Sequence, residues 1–179
     1  VEFFEQPVEL YVDEGLRPQR VQRKLYNKVF PRLISERFPT MSEAKVLERR
    51  NQMIAKPATD PLSPSPHATG AAVDIKLRYA QDTKLFVPGT QVFMGHKPVD
   101  MSSVARPDAF ERKNIQSDNA QLAQRNRRIF YWIMRGVLCE RASGLMVNPT
   151  EWWHWSYGDQ MWAALTHASS AVYGMPPEE

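Results

Sequence analysis

Ser65-Pro66-His67-Ala68-Thr69-Gly70-Ala71-Ala72-Val73-Asp74-Ile75-Lys76-Leu77 leaves a proline-rich loop and enters a strand. Val73, Ile75 and Leu77 alternate with Asp74 and Lys76, the period of two that gives a strand one buried face. His67 therefore stands just before the strand, and Asp74 lies on the face opposite Val73 and Ile75. A carboxylate there either meets solvent or is committed to a partner. Gly70 lets the backbone turn tightly between the two residues.

A second stretch complements the first. Glu151-Trp152-Trp153-His154-Trp155-Ser156-Tyr157 has the aromatic composition of a strand. In a regular strand Glu151 and His154, three apart, would face opposite ways. Glu151 must lie in the entering turn, which Asn148-Pro149-Thr150 supplies, or beside a bulge, to reach a common centre with His154. The tryptophans are expected in the core, at least two of them.

The two stretches together offer two imidazoles, one carboxylate for a metal and one carboxylate to spare. Three protein ligands and an open fourth position is the pattern of a catalytic zinc, whose water a neighbouring glutamate can deprotonate. A lone histidine is a ligand in roughly one case in ten, because motif matches without context are often false; joint placement favours His67, Asp74 and His154. His96, in a loop, and His167, after a C-terminal helix and expected in solvent, rank lower.

Outward from these stretches, Val8 to Val12 reads as a half-buried strand. Pro18 suits a first helical turn. Val21, Leu25, Val29 and Leu33 mark one helical face, interrupted at Pro31. Thr40 with Glu43 resembles a capping box for a helix over 42–54. Residues 56–66 form an extended loop with four prolines. Residues 78–116 are irregular, as functional loops often are. Ser117 or Asp118 caps a helix to about 142, with Leu122, Ile129, Ile133 and Val137 buried and Gly144 ending it. A short helix spans roughly 159–166. The tail from Met175 to Glu179 is expected to be poorly ordered. Strands and helices interleave without regular βαβ spacing, which favours an α+β fold with an antiparallel sheet.

The 179 residues are 42% hydrophobic and 24% charged, which suits one soluble domain over 1–179. A net charge of +3 without a dense Lys/Arg block gives no case for nucleic acid. Arg125, Arg127 and Arg128 are expected on a solvated helix face. The single cysteine, Cys139, excludes an intrachain disulfide and reads as a buried thiol. No apolar run is long enough to cross a membrane as a helix, and no signal peptide is visible. The expected compartment is the cytoplasm, with the periplasm as the alternative because the chain opens without methionine.

Ser65-x-His67-x-x-Gly70-x-Ala72-x-Asp74 and Glu151-x-x-His154 resemble the two zinc motifs of the D-alanyl-D-alanine metallopeptidases. Glu151-Trp152-Trp153-His154 is similar to the dipeptidase branch, and Gly15-Leu16-Arg17-Pro18-Gln19 resembles its Gly-Tyr-Arg-Pro-Gln segment, with Leu16 for tyrosine. Met94-Gly95 followed by Asp100 is similar to its loop, with Val99 where phenylalanine is usual. The resemblance spans about residues 8–158 and implies a zinc domain of the hedgehog and D-Ala-D-Ala-peptidase kind, lacking most of an N-terminal segment. It implies one Zn2+ per chain on His67, Asp74 and His154, with Glu151 as general base and then acid. It also implies Arg17 at the oxyanion, and Ser65 and Asp100 binding the substrate. The implied substrate is free D-Ala-D-Ala. The alternatives are a D,D-carboxypeptidase acting on peptidoglycan stems and a non-catalytic zinc-bearing domain, which would need neither Glu151 nor Arg17.

Overall fold

The computed structural model describes residues 4, 7–60, 62–80, 89–95, 103–111, 115, 117–136 and 143–176. They fall into two compact units, residues 1–15 with 73–157 and residues 16–72 with 158–179. Cys139 lies outside the described residues.

The first unit is built on a four-stranded sheet. Its strands are β1 (Val8–Glu14), β2 (Ala72–Tyr79), β3 (Met146–Asn148) and β4 (Glu151–Ser156), in the order β1-β2-β4-β3. β1 is antiparallel to β2, and β3 to β4. Ile75 and Leu77 enter the core, as the alternation of β2 requires, and Val73 packs against it. Trp152, Trp153 and Trp155 are all buried with them. Phe130 meets Trp152 and Trp155 edge-on, with ring centroids 5.9 and 5.8 Å apart, the arrangement aromatic quadrupoles favour. β1 lies at one edge of this order. Leu10 and Val12 are 51% and 56% exposed, so its alternation buries less than the sequence predicts.

The long helix of this unit, α4 (Asp118–Met134), begins at Ser117, whose side chain accepts from the Ala120 N–H. Its buried positions are Ala123, Asn126, Arg127, Phe130 and Met134, while Leu122 is 40% exposed. The predicted face is thus rotated, because two polar residues turn inward to serve backbone carbonyls. Asn126 donates to Phe93 O, and Arg127 to Met94 O, Val104 O and Arg106 O. Arg127 also lies 4.7 Å from the Phe110 ring. Its burial lowers its pKa to about 10, so it stays charged at neutral pH. Arg127 therefore leaves the solvated face predicted for it, whereas Arg128 stays outside and pairs with Glu111. The helix ends at Met134, before Gly136 at φ 68° rather than near Gly144.

The second unit carries α1 (Gln19–Lys24), a π-helical turn over Leu25–Val29, α2 (Phe30–Arg37), α3 (Glu43–Met53) and α5 (Gln160–Thr166). Pro18 caps the first helix. The π turn is the interruption expected at Pro31. Proline has no N–H to continue the ladder, and its ring crowds the carbonyl four residues back. Gln22, Tyr26 and Ile34 are the buried positions, one residue on from the predicted face already in α1, and Leu33 of that face is 42% exposed. Ser42, not Thr40, is the N-cap of α3, and no side-chain bond caps it. The Tyr26 hydroxyl donates to Asn51 Oδ1. Met175, expected in a loose tail, accepts from Gln19 Nε2. Among the described residues no helix is long and apolar enough to cross a membrane.

Candidate metal centre

β2 and β4 are neighbours in the sheet. Asp74 on one and His154 on the other bring Oδ1 and Nδ1 to 3.2 Å. Glu151 Oε2 lies 3.7 Å from the same Nδ1. The register of β3 against β4 shifts between Val147 and Asn148. That irregularity answers the three-residue spacing, which a regular strand could not have reconciled.

These distances can be tested against a metal. Two ligands bound at zinc's usual 2.0–2.1 Å in a tetrahedron are separated by about 3.3 Å. The Asp74–His154 separation matches that edge, and Glu151 stands beyond it. A nitrogen and a carboxylate oxygen are also the donor types zinc accepts. The first unit thus holds two side chains fit to be ligands and a carboxylate beside them. The imidazole is closed to water, its side chain 4% exposed, while the Asp74 and Glu151 side chains keep 14% and 18% exposure.

Asn148 and Ser156 lie beside this group. Asn148 Nδ2 donates to Glu151 Oε2 at 3.3 Å, and Asn148 Oδ1 accepts from the Thr150 N–H and hydroxyl. Ser156 Oγ lies 3.4 Å from His154 Nε2. Asn148 was read only as part of a turn, and Ser156 as one more strand residue. The signal for Ser156 was its i+2 spacing from His154, which puts both on one strand face.

The second unit brings together another set. Pro66–Thr69 forms a 3-10 turn that buries His67 and ends at Gly70, φ 73°. The Thr69 hydroxyl donates to Pro66 O and accepts from the Ala71 N–H. The Arg17 N–H donates to His67 O at 2.9 Å, tying the Gly15–Gln19 segment to the histidine turn. Arg17 Nη1 donates to Gln22 Oε1 at 2.8 Å. Gln22, fully buried, donates through Nε2 to Ala55 O, so its amide is oriented to receive the guanidinium. Nothing in composition singled out Gln22; its spacing of five from Arg17 is unremarkable until the helix forms. The Ser65 hydroxyl oxygen is buried and, among the described residues, has no hydrogen-bond partner. Asp13 pairs with Lys76. His167 is exposed at the C-cap of α5, as expected. His96 and Asp100 lie outside the described residues.

Comparison with known proteins bears on the same segments. The chain is 29% identical over 165 residues to a D-alanyl-D-alanine dipeptidase of Synechocystis sp., an overlap covering 87% of this chain and 62% of that protein. It therefore spans less than two thirds of the length of that relative. A family model described as D-ala-D-ala dipeptidase matches residues 7–172, which take in Arg17, the His67–Asp74 stretch and the Glu151–His154 stretch alike. With that match running over nearly the whole chain, the protein belongs to the D-Ala-D-Ala dipeptidase family.

Proposed function

We propose that the protein is a zinc-dependent dipeptidase that hydrolyses free D-Ala-D-Ala, and that His67, Asp74 and His154 hold one Zn2+, each offering one ligand atom. The observation that carries this reading is the convergence of Asp74, Glu151 and His154 in the first unit, at separations suited to two ligands and a base beside them. The metal when bound polarises the scissile carbonyl and makes water acidic near neutral pH.

The chain's own residues supply the remainder. Glu151 accepts the proton of the attacking water and returns it to the nitrogen of the departing D-alanine. Asn148 steers that carboxylate through Oε2. The Arg17 guanidinium, oriented by Gln22, donates to the oxyanion that develops on the carbonyl. Ser65 and Asp100 bind the substrate, with Asp100 on its free ammonium. A charge-assisted bond of that kind is worth about 1.5–3 kcal/mol.

Free D-Ala-D-Ala and N-acetyl-D-Ala-D-Ala, assayed side by side on zinc-loaded protein, test the substrate. A dipeptidase cleaves the free dipeptide much faster, and Asp100→Asn narrows the gap. Equal or faster cleavage of the acetylated peptide replaces this reading with a D,D-carboxypeptidase.

A further inference from the structure

We infer that Ser156 is a positioning residue of the metal centre, holding His154 in the tautomer that leaves Nδ1 free to bind the ion. The inference rests on the metal reading above and goes beyond it. A histidine ligand has two ring nitrogens, and the hydrogen bond made by one decides which is available to a metal. Here the atom that meets Asp74 and Glu151 is Nδ1, at 3.2 and 3.7 Å. The proton of a neutral imidazole must then sit on Nε2, inside a side chain only 4% exposed. A buried N–H without an acceptor costs about 1–3 kcal/mol. The Ser156 oxygen lies 3.4 Å from Nε2, and Ser156 itself is fully buried, so water does not compete for the role.

The strand explains why this residue reaches. Side chains two apart on β4 point to one face. Ser156 sits opposite Met146 in the β3–β4 ladder, on the regular side of the register shift, which fixes its backbone. With the ion bound at Nδ1, the Nε2–H would donate to Ser156 Oγ. Without the hydroxyl, the imidazole has less reason to keep its proton on Nε2. A proton on Nδ1 occupies the ligand atom, so metal binding must first displace it.

The test is metal affinity, measured by competition with a chromogenic zinc chelator, on the wild type, Ser156→Ala and Ser156→Thr. Loss of a group that orients a ligand typically weakens metal binding about 10–100-fold. That loss is expected for alanine, with threonine, which keeps the hydroxyl, recovering most of it. Because Asp74 beside Nδ1 draws the apo imidazole toward the Nδ1–H form, long-range 1H–15N spectra of the apo proteins should show a larger share of the Nε2–H form of His154 in the wild type than in Ser156→Ala. A general packing defect would move the melting temperature but not this tautomer. Zinc affinity of Ser156→Ala within twofold of wild type overturns the role of Ser156 and leaves the metal site standing. A wild type that binds no zinc overturns both.

Discussion

Arg17 shows most directly how one side chain's chemistry is set by its neighbours. Its main-chain N–H is tied to His67 O, and Nη1 to a buried amide that is itself fixed by Ala55 O. Lysine retains the charge at this position but loses the planar fork that Gln22 orients. Arg17→Lys should therefore lower kcat more than it raises KM, by roughly tenfold or more, since removing one oxyanion donor elsewhere costs 10²–10³. Steady-state kinetics on D-Ala-D-Ala decide it. An unchanged kcat with a raised KM moves Arg17 to ground-state binding. Asp74 carries a second prediction. Asp74→Ala removes one of two close-set ligand atoms and should reduce bound zinc, measured by elemental analysis after dialysis, to a small fraction of one per chain. Full retention removes Asp74 from the ligand set.

At the scale of elements, α4 serves the sheet unit through a charged residue as much as through apolar ones. Arg127→Met keeps much of the side-chain volume and removes a donor from Met94 O, Val104 O and Arg106 O, the last of which keeps the Ala109 N–H. Each buried group left unpaired costs about 1–3 kcal/mol, and partial relaxation should leave a net loss of about 3 kcal/mol in chemical denaturation. A loss under about 1 kcal/mol would mean that water replaces the guanidinium. This helix also shows where reading a sequence stops. The periodicity of β2 was legible because its apolar residues are the buried ones. In α4 the same logic chose Leu122 over Asn126 and Arg127, since burial of polar residues depends on carbonyls contributed by Phe93, Met94, Val104 and Arg106. The β3 strand was missed for a related reason. Three residues carry no period, and only their pairing with β4 makes them a strand. The candidate site was legible in a different way. The spacing of Glu151 and His154 demanded a turn or a bulge, and the register shift lies at that place. Gln22, Asn148 and Ser156 were not legible, because a positioning role exists only relative to a partner's location.

At the scale of the whole chain, the proposed ion is a ligand of the folded protein alone. Metal binding then becomes a term in the stability of the fold. A ligand at 100 times its Kd adds about 2.7 kcal/mol to a protein that binds it only when folded. For a chain of this size each kcal/mol moves Tm by about 2–4 °C. Chelation should lower the melting temperature by roughly 5–10 °C, and stoichiometric zinc should restore it. The same treatment should do almost nothing to Asp74→Ala. Equal melting curves for the wild type with and without zinc would contradict a folded-state metal site.

In the proposed mechanism Glu151 moves protons beside a metal it does not bind. Its carboxylate stands 3.7 Å from His154 Nδ1, outside the ligand edge that Asp74 occupies, and Asn148 holds it there. Glutamine preserves its shape and cannot accept a proton. The decisive measurement is D-alanine release from D-Ala-D-Ala by zinc-loaded wild type and Glu151→Gln at equal, verified zinc content. One zinc in each protein and a fall in kcat of about 10²–10⁴ in the variant are expected. Turnover by Glu151→Gln within a few fold of wild type, at the same zinc content, would contradict it.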